Sequence, residues 1–120
     1  MRSVLVVSED TETFKKISAA FDTAYRVGQA FDNNGALAIL KEKRYDLVFI
    51  DLSSLLQTSQ NGGYELALQP FKQLCPSIEI VVMSGMDMIR EVVKVVKAGA
   101  SDYLTYPLSA AEVRLVITVT

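Results

Sequence analysis

Short runs of consecutive apolar residues alternate along this chain with longer segments in which apolar residues recur at helical spacing. The clearest runs are residues 4–7 (VLVV), 47–50 (LVFI) and 78–83 (IEIVVM, interrupted by one glutamate). Continuous runs of this kind are typical of strands buried on both faces of a parallel sheet. Residues 25–30 and 103–104 are less uniformly apolar and predict two weaker strands nearer the sheet edges.

The segments between these strands carry apolar residues at the spacing of one helix face. The predicted inner faces are formed by Phe14, Ile17 and Phe21, by Leu37 and Leu40, by Ile89, Val92, Val93 and Val96, and by Val113, Val116 and Ile117. Asn33 or Asn34 is predicted to cap the second helix. Asp87 is predicted to open the fourth helix and Gly99 to close it, and Ser109 begins a capping-box pattern.

The third helix is predicted within residues 64–74, where Pro70 removes a backbone N–H and its ring clashes with the preceding turn. A kinked or late-starting helix is therefore expected. Residues 52–63 (LSSLLQTSQNGG) predict a solvated loop, long enough to cover part of the sheet edge. Strand and helix thus alternate five times, which predicts right-handed crossovers and a five-stranded parallel sheet of order 2-1-3-4-5 in a flavodoxin-like three-layer α/β/α sandwich.

Composition narrows the class of protein. The 120 residues correspond to one domain, since domains average about 150 residues. Half of the residues are hydrophobic and the mean hydropathy is +0.25, which excludes a disordered chain. Twelve Lys and Arg against fourteen Asp and Glu give a net charge of −2, which argues against direct binding of nucleic acid.

Residue types that are rare or missing exclude further classes. Histidine is absent, which excludes histidine-dependent triads, metal sites and proton shuttles. The single cysteine, Cys75, is typical of a reducing compartment. Apolar runs are far shorter than the roughly 20 residues of a membrane span, and acidic residues directly after the first run exclude a signal peptide. We therefore expect a cytoplasmic domain that does not bind membranes and, since the chain stops inside an apolar helical segment, a piece of a longer protein.

Polar residues follow the predicted strands at the edge where open α/β sheets bind ligands. Glu9 and Asp10 follow the first strand, Asp51 the third and Ser84 the fourth. Three converging carboxylates would repel one another and raise at least one pKa, and Mg²⁺ is a suitable neutralising cation. A carboxylate at this place can attack phosphorus, and Ser84 can donate to a phosphoryl oxygen.

Four segments resemble the receiver domains of bacterial two-component response regulators: residues 4–10 (VLVVSED), 45–52 (YDLVFIDL), 82–85 (VMSG) and 98–107 (AGASDYLTYP). The resemblance covers essentially the whole chain, so residues 1–120 are expected to be one receiver domain at the start of a longer protein. The last segment is also similar to receivers attached to sigma-54-dependent transcription activators of the nitrogen-regulator type.

The resemblance implies a role for individual residues. Asp51 matches the phosphoacceptor that takes its phosphoryl group from a sensor histidine kinase, Ser84 the switch hydroxyl and Tyr103 the aromatic switch. The outer surface of the fourth helix, fifth strand and fifth helix would be the output face. That face would control an attached or partner effector domain, such as a sigma-54-type ATPase with a DNA-binding domain, or would form a homodimer.

The resemblance also implies a Mg²⁺ site. Glu9 matches one member of the acidic pair that holds the metal, and either Ser8 or Asp10 is the other, depending on the register. The backbone carbonyl of Ser53 matches the third protein ligand. Beyond its own phosphorylation and dephosphorylation, such a domain is not an enzyme.

One position departs from the family pattern in its charge. The lysine that precedes the proline after the fifth strand is Tyr106 here, and the Tyr106–Pro107 bond is expected to be cis, as in the family. A lysine would give a charge-assisted contact to the phosphoryl group, whereas a tyrosine offers a neutral hydroxyl. The alternative is a phosphorylation-independent pseudo-receiver used for protein contacts or dimerisation. A flavodoxin-like small-molecule or nucleotide enzyme is disfavoured, because glycine-rich phosphate loops, nucleophile elbows and a histidine base are absent.

Overall fold

Five parallel strands form the centre of the molecule. The computed structural model describes residues 2–21, 25–58 and 63–119. The strands are β1 (Arg2–Val7), β2 (Tyr25–Ala30), β3 (Leu47–Asp51), β4 (Glu79–Ser84) and β5 (Asp102–Thr105). They are hydrogen-bonded in the order β2-β1-β3-β4-β5, which confirms the predicted topology and places the two weaker strands at the edges.

Helices cover both faces of this sheet. They are α1 (Thr11–Ala20), α2 (Asn33–Glu42), α3 (Leu52–Thr58), α4 (Gly63–Leu74), α5 (Ile89–Lys97) and α6 (Ala110–Val119), with a short 3₁₀ helix at Met86–Met88. One core joins the sheet to α2, α3, α4 and α5, and a second core joins it to α1 and α6. The predicted three-layer sandwich is therefore confirmed. Within the described ranges, no helix is long and apolar enough to cross a membrane.

The central strands explain the continuous apolar runs of the sequence. Val4 and Val6 of β1 lie in the core under α1 and α6, whereas Leu5 and Val7 lie in the core under α2 to α5. Successive side chains of a strand point to opposite faces, so a strand covered on both sides needs apolar residues at every position. The register carries each of these runs to the same edge of the sheet.

The segment after β3 differs from the predicted loop. Residues Leu52–Thr58 form α3, and Leu52 and Leu55 are 3% and 0% exposed in the core. Burying these two leucines favours the helix in spite of its serines and threonine, because packing overrides weak local propensity. The rest of the predicted loop, residues 59–62, lies outside the described residues.

Helix α4 tolerates its proline. It begins at Gly63, so the expected late start is wrong, and Pro70 lies inside it. Pro70 cannot donate to the carbonyl of Leu66 one turn earlier. Leu66 is 58% exposed, which places this turn of the helix on the solvent side.

Several helix ends differ from the predicted caps. Asp32, and neither Asn33 nor Asn34, caps α2 by accepting the Gly35 N–H at 2.7 Å. Asp87 lies in the 3₁₀ turn before α5 and does not cap that helix. The predicted end of α5 at Gly99 and the predicted start of α6 at Ser109 are confirmed.

Gly99 closes α5, and Ser109 opens α6. Gly99 has φ of +132°, and its N–H donates to Val96 at 3.1 Å while that of Ala100 donates to Val95 at 3.2 Å, as in a Schellman motif. The Ser109 hydroxyl accepts the N–H of Glu112 at 3.0 Å.

The inner face of α5 is rotated relative to the predicted one. Val92 and Val95 are the buried residues of this helix, and Val95 was not in the predicted face. Ile89 and Val93 are 37% and 46% exposed, although their spacing predicted burial. Valine and isoleucine occur on both sides of α5, so the periodicity alone did not identify the side that packs.

One glycine permits a close approach at the sheet edge. A Cβ atom on Gly28 of β2 would lie 2.5 Å from the hydroxyl oxygen of Tyr45. Tyr45 is 8% exposed, and the guanidinium of Arg26 lies 5.5 Å from its ring centroid. The absence of a side chain on Gly28 thus makes room for the Tyr45 hydroxyl.

Candidate functional site

The carboxyl ends of four neighbouring strands meet at one edge of the sheet, with Asp51 among them. Asp51 is the last residue of β3 and is half-buried. Ile50 of the same strand pairs with Val7, the last residue of β1, on one side. On the other side, Ser84 ends β4 and pairs with Thr105 of β5. The sheet therefore brings the predicted acceptor and the predicted switch hydroxyl to the same edge.

A tyrosine hydroxyl contacts the Asp51 carboxylate, and a buried serine lies close to it. The hydroxyl of Tyr106 donates to Oδ1 of Asp51, and the fully buried Ser8 side chain is near enough to lower the pKa of this carboxylate. Tyr106 follows β5, and its backbone N–H donates to the Ser84 carbonyl at 2.9 Å. The Tyr106–Pro107 bond is cis, as predicted. Tyr106 therefore contacts the carboxylate and does not merely pack on the proline ring.

Burial and nearby charge raise the pKa of Asp51. Desolvation by the surrounding protein is the largest cause, and the negative charges of Asp10 and Glu9 raise the pKa further. The hydrogen bond from Ser8 acts in the opposite direction. Between the ordinary pKa of 3.8 and the raised one, the folded protein binds more protons than the unfolded chain, so its stability falls as pH rises through this interval.

We expect Asp51→Asn to raise the melting temperature at pH 7, because the neutral amide removes an ionised carboxylate whose charge is unfavourable in the fold. The gain should shrink as the pH falls through the raised pKa and vanish well below the ordinary one. Thermal unfolding from pH 3 to pH 8 measures it. Glu65→Gln, at an exposed position of α4, is the control for the change in net charge. An Asp51→Asn variant that melts lower than wild type at pH 7 would contradict the expectation.

The carboxylate of Asp10 is used by helix α1. It accepts the N–H of Glu12 at 3.0 Å and the hydroxyl of Thr13 at 3.3 Å, which makes Asp10 the N-cap of this helix. A cap of this kind satisfies N–H groups that have no partner within the helix. The negative charges of Asp10 and Glu9 both act on Asp51, which confirms the predicted rise of a carboxylate pKa at this edge. Across residues 2–21, 25–58 and 63–119, no three Asp, Glu, Cys or His side chains are grouped closely enough to hold a metal ion as they stand.

Ser8 and Glu9 follow β1 and form one of the two candidate acidic pairs. Ser8 follows β1 directly; its N–H donates to the Ala30 carbonyl at 3.0 Å, and its hydroxyl accepts the N–H of Asp10 at 3.1 Å. Its side chain lies close enough to Asp51 to lower the pKa of that carboxylate. Glu9 is exposed, and its negative charge and that of Asp10 both raise the pKa of Asp51. Both registers of the acidic pair therefore remain open.

Ser84 and Tyr103 are the two residues predicted to move on phosphorylation. The Ser84 side chain is buried, and its hydroxyl donates to the carbonyl of Gly85 at 2.9 Å. Tyr103, in the edge strand β5, is 44% exposed. The Ser84 hydroxyl is therefore engaged with its own loop, and the Tyr103 ring faces solvent.

The oxygen atoms at this edge suit a hard cation such as Mg²⁺. Glu9 and Asp51 supply two carboxylates, and Mg²⁺ in proteins is commonly held by one or two carboxylates with water completing its shell. Desolvation and the negative charges of Asp10 and Glu9 raise the pKa of Asp51, and a cation bound here would stabilise its ionised form. Ser53 is the second residue of α3, where a carbonyl points along the helix axis, so it can join them only if the first turn opens.

The contact between Tyr106 and Asp51 is the part of the site that sequence reasoning missed. The residue was identified as the replacement for a lysine, but whether its hydroxyl reached the carboxylate depended on the path of the chain after β5. No local pattern signals this contact, because the two residues lie 55 positions apart in the sequence.

Residues 4–118 match the family model of the response regulator receiver domain. The two-component response regulator-like protein APRR9 of Arabidopsis thaliana is 34% identical over 112 residues, which cover 92% of this chain and 24% of that protein. The transcriptional regulatory protein ZraR of Salmonella typhimurium is 33% identical over 106 residues, which cover 88% of this chain and 23% of that protein. The chain thus spans about a quarter of the length of these curated relatives.

A solved structure matches the three-dimensional arrangement. The receiver domain of NtrX from Brucella abortus superimposes with a TM-score of 0.80 at 27% sequence identity. The match covers 97% of this chain and 95% of that domain. The family match and the structural match therefore extend over nearly the same residues.

Proposed function

Because this chain belongs to the response regulator receiver domain family, we propose that it is a phosphorylation switch in which Asp51 accepts a phosphoryl group from a sensor histidine kinase. The observation that carries the proposal is the meeting of Asp51, Glu9 and Ser84 at the carboxyl edge of the sheet. An oxygen of the Asp51 carboxylate attacks phosphorus, the bond from phosphorus to the histidine nitrogen breaks, and the nitrogen keeps the electron pair.

The residues around Asp51 have distinct tasks in this proposal. Glu9 and Asp51 would hold Mg²⁺, with Ser8 at the other position of the acidic pair, and the Ser53 carbonyl would be a third ligand if the first turn of α3 opened. The bound cation would neutralise part of the charge on the phosphoryl oxygens. Ser84 exchanges its bond to Gly85 for one to a phosphoryl oxygen, and Tyr106 withdraws its hydroxyl from Asp51. Tyr103 moves as Ser84 does.

The output face in this proposal is the outer surface of α5, β5 and α6. Its exposed apolar side chains support a role in protein contacts: Ile89, Val93, Tyr103 and Leu115. The partner is an attached or separate effector domain, and the similarity to NtrX and ZraR supports a sigma-54-type ATPase with a DNA-binding domain. The same face serves a homodimer. The receiver itself acts in the cytoplasm, contacts neither nucleic acid nor membrane, and catalyses no reaction beyond its own phosphorylation and dephosphorylation.

A pseudo-receiver is the second candidate, and a specific observation favours it. The Tyr106 hydroxyl donates a hydrogen bond to Oδ1 of Asp51, one of the two carboxylate oxygens needed for phosphorylation and metal binding. The carboxylate of Asp10 is also committed to the cap of α1. If these contacts persist, the domain serves only as a surface for protein contacts, and phosphorylation has no role.

The proposal is tested by titration with Mg²⁺ and then beryllofluoride, a phosphoryl mimic. We expect amide NMR shifts at Glu9, Asp51 and Ser84 at millimolar Mg²⁺, larger shifts with beryllofluoride, and the loss of both in Asp51→Asn. Wild-type spectra that do not change at either step would overturn the phosphorylation switch and leave the pseudo-receiver.

Two further variants identify the acidic pair. Glu9→Gln is expected to weaken Mg²⁺ binding strongly. Asp10→Asn is the matched control, because asparagine caps a helix about as well as aspartate and the fold is preserved. If the two variants weaken Mg²⁺ binding equally, Asp10 is a ligand and the assignment to Ser8 and Glu9 is wrong.

A further inference from the structure

A hydrogen bond joins the first turn of α4 to the first turn of α5. The hydroxyl of Tyr64, in the first turn of α4, donates to Oε1 of Glu91 in the first turn of α5 at 2.7 Å. The other oxygen of this carboxylate is 3.0 Å from the ammonium group of Lys94. Glu91 therefore has a partner on each oxygen, one of them on a neighbouring helix.

Tyr64 is held firmly at its end of this bond. Its side chain is 9% exposed and belongs to the core beneath α2 to α5. The preceding Gly63 has φ of +73°, a conformation that glycine adopts readily, so the backbone turns into the helix directly before the tyrosine. The pKa of Tyr64 is raised to about 12 by desolvation and by Glu91, so the hydroxyl stays a donor at physiological pH.

The other end of the bond lies on a lightly held helix. Helix α5 spans nine residues, with Val92 and Val95 as its buried side chains. It follows Ser84 through Gly85 and the single 3₁₀ turn Met86–Met88. Only residues 85–88 separate Ser84 from the start of α5, so the chain connects the predicted switch hydroxyl closely to this helix.

We propose that the Tyr64–Glu91 hydrogen bond is a lock that holds α5 in its resting position and determines how readily the output face changes. The coupling to phosphorylation rests on the function proposed above; the holding of α5 does not. Tyr64 lies outside the phosphorylation site, so it is a positioning residue that acts through Glu91. A lock of this kind favours the resting state, and its removal should make the switch easier to operate.

The test uses Tyr64→Phe, which keeps the ring in the core and removes only the hydroxyl. We expect amide hydrogen exchange in α5 to become about tenfold faster in the unliganded protein, as for the loss of one hydrogen bond to a charged acceptor. Tyr45→Phe is the matched control, since Tyr45 is buried in the same core but its hydroxyl lies beside Gly28. Unchanged exchange in α5 would overturn the lock.

The acceptor is tested in the same way. Glu91→Gln retains an oxygen that can accept from Tyr64, and α5 exchange should stay close to that of wild type. Glu91→Ala removes the acceptor and should match Tyr64→Phe. If Glu91→Gln exchanges as fast as Glu91→Ala, the pairing with Lys94 holds the helix and the role given to Tyr64 is wrong.

A binding measurement then tests the coupling. At fixed Mg²⁺, we expect Tyr64→Phe to bind beryllofluoride several-fold more tightly than wild type and Tyr45→Phe to bind it equally. A bond that only stabilises the fold would lower the melting temperature without changing this affinity, and that result would overturn the coupling. If none of the proteins binds beryllofluoride, the proposed function fails. Amide hydrogen exchange in α5 then still tests whether the Tyr64–Glu91 bond holds that helix.

Discussion

Replacing Tyr106 with lysine is expected to raise the affinity for beryllofluoride at fixed Mg²⁺ by about one to two powers of ten. The lysine ammonium can donate a charge-assisted hydrogen bond to the phosphoryl mimic, worth about 1.5–3 kcal/mol. The substitution also removes the hydroxyl that contacts the Asp51 carboxylate. Fluorescence or calorimetric titration, with acetyl-phosphate labelling as a second measurement, provides the comparison with wild type.

Tyr106→Phe separates the two effects of this change. It removes the contact with Asp51, keeps an aromatic ring before Pro107 and adds no charge. If release of Asp51 is the main effect, phenylalanine and lysine should raise the affinity equally; if the charge dominates, lysine alone should do so. Strong and equal binding by wild type and both variants would mean that neither the tyrosine hydroxyl nor the missing lysine limits the site.

Truncating Leu55 to alanine is expected to lower the free energy of unfolding by about 2–5 kcal/mol. Leu55 is fully buried in α3, so the change removes apolar burial and leaves a cavity in the core beneath α2 to α5. The neighbouring helices can collapse into such a cavity only in part. Urea or thermal unfolding measures the loss.

Leu56→Ala is the matched control, because it makes the same chemical change one residue further along the same helix. Leu56 is 38% exposed, so its truncation removes much less burial and should cost well under half as much. Equal losses at the two positions would show that α3 is not oriented as described. The pair therefore tests the element that sequence reasoning predicted as a loop.

The elements predicted correctly are those whose signal is local and repeated. Val4 to Val7 and Leu47 to Ile50 are apolar at every position, and only a strand covered on both faces needs that pattern. Helix α3 is only seven residues long, and the helical spacing of Leu52, Leu55 and Leu56 was outweighed in the prediction by the polar and glycine residues that follow. Burial of Leu52 and Leu55 decides its conformation. In α5, valines on several sides left the face ambiguous: Val92 and Val96 pack against the core as predicted, whereas Ile89 and Val93 are exposed and Val95 is buried.

The sequence predicted which residues lie at the strand ends of the site. Because parallel strands end at one edge, the positions of Asp51 and Ser84 followed from the strand assignment alone. The contacts of the neighbouring side chains did not follow from the strand assignment. Asp10 was predicted only as a candidate metal ligand, and its cap of α1 depends on that helix beginning at Thr11. Tyr106 and Tyr64 take their roles from contacts with residues distant in the sequence.

The close approach of Gly28 and Tyr45 has a consequence for how relatives of this chain can diverge. A larger residue at position 28 collides with the tyrosine hydroxyl, and a smaller residue at position 45 leaves Arg26 without the ring beneath it. Neither substitution is neutral by itself, so the two positions are expected to change together. In a library randomised at both, alanine or serine at 28 should be recovered chiefly with phenylalanine or a smaller side chain at 45.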